Sequence, residues 1–82
     1  MFYIYIIYSE TLDKYYVGSS QNIKQRLEDH LNSRSKFTKA AKDWVLKYSE
    51  TFTTRSEAYQ RELQIKKMKS RKYIENLIQT KG

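Results

Sequence analysis

The stretch Phe2-Tyr3-Ile4-Tyr5-Ile6-Ile7-Tyr8 constrains the fold more than any other part of the chain. Every position is β-branched or aromatic, so both alternating faces of an extended strand are apolar. Such a strand needs cover on both sides, which places it at the centre of a sheet. Tyr15-Tyr16-Val17-Gly18 follows across Thr11-Leu12-Asp13-Lys14, a connection short enough for an antiparallel hairpin. If Tyr8 faces Tyr15, then Ile7 faces Tyr16 and Tyr5 faces Gly18, and Tyr5 and Tyr16 emerge on the same face of the sheet. A slip of one residue would separate them.

The remaining chain reads as helices around one further strand. Asn22 followed by Gln25 is a capping-box pattern, and Ile23, Leu27 and Leu31 then recur on one helical face, giving a helix over about 22–33. Arg26 and His30 lie four apart beside that apolar stripe. Residues 33–41 are polar and basic and read as a loop with a short helical turn, and Trp44-Val45-Leu46-Lys47-Tyr48 running on to Phe52 reads as a third strand. Thr54 and Glu57 form a second capping box, opening a helix through about residue 69, with another from about 71 onward. At 82 residues without proline, repeats or linkers, the chain is expected to form one domain over 1–82.

Composition narrows the function classes. Aromatic residues make up 15% of the chain, too many for a disordered segment. There is no cysteine, so disulfide staples and thiolate metal sites drop out, and a reducing compartment, by default the cytoplasm, is expected. The apolar stretch at 2–8 is about a third of what a bilayer span requires, and no basic leader precedes it, so no membrane partner is expected. A formal charge of +7 favours a polyanionic partner, and +5 of it falls in residues 55–82. The centre of that excess is Lys66, Lys67, Lys69, Arg71 and Lys72, which is either a nucleic-acid contact or a solvated helix face. Glu62 stands out there: at about 100° per residue it falls in an arc bounded by Ala58, Ile65 and Met68 on one side and Tyr59 and Leu63 on the other. A carboxylate so placed points toward the core and is expected to be paired with a neighbouring Lys or Arg, protonated, or bound to a metal ion.

Taken together, these segments resemble the GIY-YIG nuclease family, in particular small single-domain members related to the N-terminal nuclease domain of the excision-repair subunit UvrC. Tyr3-Ile4-Tyr5 stands where the family has GIY and Tyr16-Val17-Gly18 where it has YIG, with ten residues between them. The segment from Asn22 to His30 resembles the helix carrying the family's arginine, here Arg26, and its frequent histidine, here His30. Thr54-Arg55-Ser56-Glu57-Ala58 through Glu62, Ile65, Lys66 and Lys67 resembles the helix bearing the metal-binding glutamate, here Glu62. Tyr3 departs from the first glycine of GIY, Ser19 stands where some members carry lysine, and the asparagine found late in some members has no secure counterpart here, since Asn76 is only at a roughly suitable distance and stays outside the site.

The resemblance implies an α/β fold of the α+β type, a small three-stranded antiparallel sheet flanked by helices. It also implies an endonuclease that hydrolyses DNA phosphodiesters with one Mg²⁺ or Mn²⁺. The chemistry matches the residues. A lone carboxylate such as Glu62 can hold a hard cation that keeps waters and phosphate oxygens as its other ligands, and the fork of Arg26 fits a phosphate gaining negative charge. Tyr5 or Tyr16 would be the base, and His30 a proton relay or phosphate contact. Gly18 would let the backbone approach nucleic acid or let Tyr5 stand clear. Two other readings keep the fold: a catalytically silent nucleic-acid-binding module, and a nuclease that acts only when a protein partner recruits it.

Overall fold

A computed structural model describes residues 1–31 and 43–81. The elements run β1 (Phe2–Ser9), β2 (Lys14–Ser20), α1 (Ile23–Leu31), β3 (Trp44–Phe52), α2 (Arg55–Met68) and α3 (Arg71–Lys81). The expected loop at 33–41, and the last residues of the first helix, lie outside the described residues. The doubly apolar β1 is the middle strand of an antiparallel sheet ordered β2-β1-β3. Pairing with β2 sets Tyr8 opposite Tyr15, Ile7 opposite Tyr16 and Tyr5 opposite Gly18, the register expected from the sequence.

Both faces of β1 are covered, because a strand of this composition cannot leave either in water. On one face Ile4, Ile6 and Val17 pack with Ala58 and Ile65 of α2, joined by Tyr73, Ile74 and Leu77 of α3. On the other, Tyr5, Ile7 and Trp44 pack with Leu12, Tyr16 and the α1 stripe of Ile23 and Leu27. The pairing of β1 with β3 shifts between Ile6 and Ile7, where the partner steps from Tyr48 to Leu46 and leaves Lys47 as the extra residue of a bulge.

Polar ties fix the helices. Asn22 Oδ1 accepts the Gln25 amide at 3.1 Å. At the start of α2, Thr54 Oγ1 accepts the Glu57 amide at 3.2 Å and donates to the Glu57 carboxylate at 2.9 Å, which orients the first turn. α2 ends where Lys69 turns left-handed (φ 48°), its N–H closing on the Lys66 carbonyl at 3.2 Å. The basic run is therefore divided between two helices. Arg61 grips Glu50 of β3 with two bonds of 2.9 and 3.1 Å and donates to the Tyr73 hydroxyl of α3 at 3.2 Å. This fork, with side chains only 18% and 22% exposed, fixes the rotation of the helix that carries Glu62.

At the hairpin, Asp13 sits at a φ of 52°, a left-handed conformation that Asp tolerates. Its carboxylate accepts from the Tyr8 hydroxyl at 2.5 Å and from Arg71 at 2.6 Å. Asp43, at the entry to β3, accepts from the buried Ser9 hydroxyl at 2.6 Å and from the Thr11 amide and hydroxyl, both at 2.9 Å.

Two predictions follow from these ties. Arg71 and Tyr8 hold Asp13, and Ser9 and Thr11 hold Asp43, at a pKa of about 2, below the ordinary 3.8. A lowered carboxylate pKa stabilises the fold above the unfolded value and loses that contribution as pH falls through the folded one. Melts between pH 5 and about 2 should show stability dropping, and Asp13→Asn and Asp43→Asn should each flatten the drop. Glu50→Gln, which leaves the Arg61 fork without its charged acceptor, should cost about 2 kcal/mol in a denaturant titration.

Candidate active site

Four of the residues expected to form the site meet at the β1–β2 hairpin. Tyr5 projects from β1 beside its cross-strand partner Gly18, and its phenol tip lies over the glycine. A Cβ at position 18 would stand 2.5 Å from the Tyr5 hydroxyl oxygen and 2.6 Å from Cζ. Gly18 is buried under that ring, so its bare Cα seats Tyr5, one of the two roles expected of it. The ring itself is 1% exposed.

Arg26 of α1 donates a side-chain hydrogen bond to the Tyr5 hydroxyl, and Tyr16 and Glu62 lie close enough to act on the same group through their charges. Burial pushes the Tyr5 phenol above the ordinary tyrosine pKa of 10.0, against the downward pull of Arg26 and with a further upward push from Tyr16 and Glu62. Tyr16, on the edge strand β2, is half-buried against the cluster of Tyr5, Ile7 and Trp44.

Glu62 reaches this group from α2. Its side chain is 13% exposed and its Oε2 accepts from the Lys66 ammonium at 2.6 Å. The inward orientation expected from the helical wheel holds, but the apolar arc is narrower than expected. Ala58 and Ile65 are buried, whereas Tyr59, Leu63 and Met68 are 46–54% exposed, so Glu62 sits at the margin of the buried stripe. Among the described residues no hydrogen bond occupies Oε1, and no group of three or more His, Cys, Asp or Glu side chains converges. A single mostly buried carboxylate is a hard oxygen donor. It suits a Mg²⁺-like ion that keeps most of its waters, and would not make a closed structural site. His30 falls within α1, and its side chain lies outside the described residues.

Two clefts flank the cluster. The larger, about 850 Å³, is lined by Ser19, Asn22, Gln25, Arg26, Arg55 and Tyr59. The smaller, about 420 Å³, is lined by Tyr16, Lys66, Lys69 and Arg71 together with Lys14 and Ile74. Arg55, whose guanidinium stands 5.9 Å from the Phe2 ring centroid, had no distinguishing sequence signal beyond its charge at the start of α2.

The basic run divides by role. Arg71 is engaged by Asp13, by the Asp13 carbonyl at 3.0 Å and by Glu75 at 3.3 Å, and lies 5.4 Å over Tyr15. It ties α3 to the hairpin and is a weak candidate for the nucleic-acid contact expected of it. Lys67, Lys69 and Lys72 are exposed, and Lys66 is paired with Glu62.

This arrangement is that of a GIY-YIG catalytic domain: residues 1–74 match that family, and the chain belongs to it. Its relatives are UPF0213 proteins. One from Bacillus licheniformis is 40% identical over 67 residues, 80% of this chain and 68% of that protein. Another, from Staphylococcus saprophyticus, is 36% identical over 73 residues, 88% of each. The solution NMR structure of a UPF0213 protein from Bacillus halodurans superposes with a TM-score of 0.63 at 26% identity, covering 100% of this chain and 87% of that one. The kinship is thus with UPF0213 proteins, and not specifically with UvrC as the sequence resemblance had it. Membership makes nuclease chemistry on nucleic acid the activity class to test. No helix among the described residues is long and apolar enough to cross a membrane.

The seating of Tyr5 gives a direct test. Gly18→Ala should push the buried ring off its place and lower stability by about 1–3 kcal/mol in a thermal or denaturant melt, as overpacking of a filled core does.

Proposed function

We propose that the protein is a divalent-metal-dependent endonuclease that hydrolyses phosphodiester bonds in DNA. The observation that carries this reading is the convergence of Tyr5, Tyr16, Arg26 and Glu62, from four different elements, between two open clefts. A silent binding module would have no need to keep a mostly buried carboxylate and a phenol–guanidinium pair together. Recruitment by a protein partner remains compatible with the same chemistry.

Glu62 would hold one Mg²⁺ or Mn²⁺, which when bound supplies a Lewis acid at the scissile phosphate. Arg26, already aimed by its bond to Tyr5, neutralises charge that builds on the phosphoryl oxygens in the transition state. Burial opposes ionisation of Tyr5, so Tyr5 stays protonated and orients Arg26. Tyr16, half-buried and lining the smaller cleft, would as its phenolate be the tyrosine that takes a proton from the attacking water. Lys67, Lys69 and Lys72 supply sequence-independent attraction to the DNA backbone. A role in DNA repair is the narrower form of this reading, and it requires branched or distorted DNA to be cut in preference to intact plasmid.

Purified protein with Mg²⁺ or Mn²⁺ on plasmid, branched and single-stranded DNA, beside a chelator control, tests the proposal. Glu62→Gln should lose cleavage by several orders of magnitude, since metal stabilisation is worth several kcal/mol and each ~1.4 kcal/mol is tenfold in rate. Its melting should stay close to wild type, because glutamine keeps the shape of Glu62 and the Lys66 end of this i,i+4 pair is exposed enough to be hydrated once released. Tyr16→Phe should lose more activity than Tyr5→Phe. Chelator-insensitive cleavage, or no cleavage of any substrate by wild type, would refute the reading.

A further inference from the structure

We propose that Lys66 is a phosphate ligand held in reserve, tied down by Glu62 until that carboxylate is neutralised and then free to meet the DNA backbone beside Tyr16. The proposal rests on the reading of Glu62 and Tyr16 as parts of a phosphodiester site.

The geometry sets the two partners apart. Glu62 is 13% exposed and anchored at the margin of the core, while Lys66, one helical turn later, is 46% exposed and carries a flexible stem. Lys66 can therefore swing while Glu62 stays. Its ammonium already stands 5.8 Å from the Tyr16 ring centroid and lines the smaller cleft.

The other cations of that cleft are less well placed to answer the charge state of Glu62. Arg71 is held by Asp13 and Glu75, and Lys69 sits at the left-handed end of α2. The ammonium is the exposed, flexible end of an i,i+4 pair, so it would give way if Glu62 held a divalent cation. Release of Lys66 then adds positive charge to the cleft at the moment the site becomes competent. Cation binding and backbone binding become coupled, each favouring the other.

The coupling is measurable without any metal, because Glu62→Gln neutralises the carboxylate directly. Wild type, Glu62→Gln, Lys66→Gln, the double variant, and Glu62→Gln combined with Lys66→Arg are compared for binding to a fluorescent single-stranded oligonucleotide. The titrations use anisotropy in chelator, with melts confirming that each protein is folded. Glu62→Gln should bind about threefold tighter than wild type, the scale of a weak ion pair set free. The gain should vanish in the Lys66→Gln background and persist in the Lys66→Arg background. An equal gain in the Lys66→Gln background would show that only a repulsive charge had been removed, and no gain at all would show that Lys66 does not reach the strand. Either result overturns the proposal. Because nothing is cleaved in chelator, failure of the nuclease reading shows separately, as inactivity of metal-loaded wild type in the cleavage assay.

Discussion

Tyr5 can lie across the neighbouring strand only because position 18 carries no side chain, and the rest of the site is organised around that allowance. The phenol tip rests where a Cβ would be. It therefore reaches Arg26 on one helix while remaining under the influence of Tyr16 and Glu62. A phenol standing straight up from β1 would be one more core aromatic. Laid over Gly18, it links the two strands of the hairpin and meets Arg26 of α1 through its hydroxyl. The hairpin register makes this possible, since only the pairing of Tyr5 with Gly18 puts the bare Cα under the ring.

Part of the positive charge that gives the chain its +7 is put to structural use. Arg61 binds β3, α2 and α3 together through Glu50 and Tyr73. Arg71 fastens the start of α3 to the tip of the hairpin. Both are arginines, whose planar fork can satisfy several acceptors at once. The exposed Lys67, Lys69 and Lys72 are lysines, suited to a diffuse attraction without fixed geometry. A long-range field and a rigid scaffold thus come from different residue types within one short stretch.

The local rules were enough to read the sheet, its central strand, the hairpin register and the helix caps from the sequence. Alternation, turn length and capping chemistry act over a few residues and leave their marks in order. Glu62 was legible as an inward carboxylate, and the helical position that predicted it also put Lys66 one turn away, where the two now pair. The narrower buried stripe of α2 was not legible, because Tyr59, Leu63 and Met68 are apolar by type yet exposed. The structural ties of Arg71 were not foreseen, and Arg55 was passed over, for a related reason. Their partners, Asp13 and the ring of Phe2, lie more than fifty residues away in sequence, and no periodicity reports such a meeting.

The bulge opposite Ile6 and Ile7 has a mechanical meaning for the sheet. It inserts one residue into β3 while leaving the pairing of β1 with β2 in unbroken step. The two halves of the sheet are thereby decoupled: a change of length or register on the β3 side can be absorbed at Lys47 without moving Tyr5 relative to Gly18. The Tyr5–Gly18 hairpin is in effect suspended from its own ladder, so the seat of the phenol does not depend on how β3 is paired.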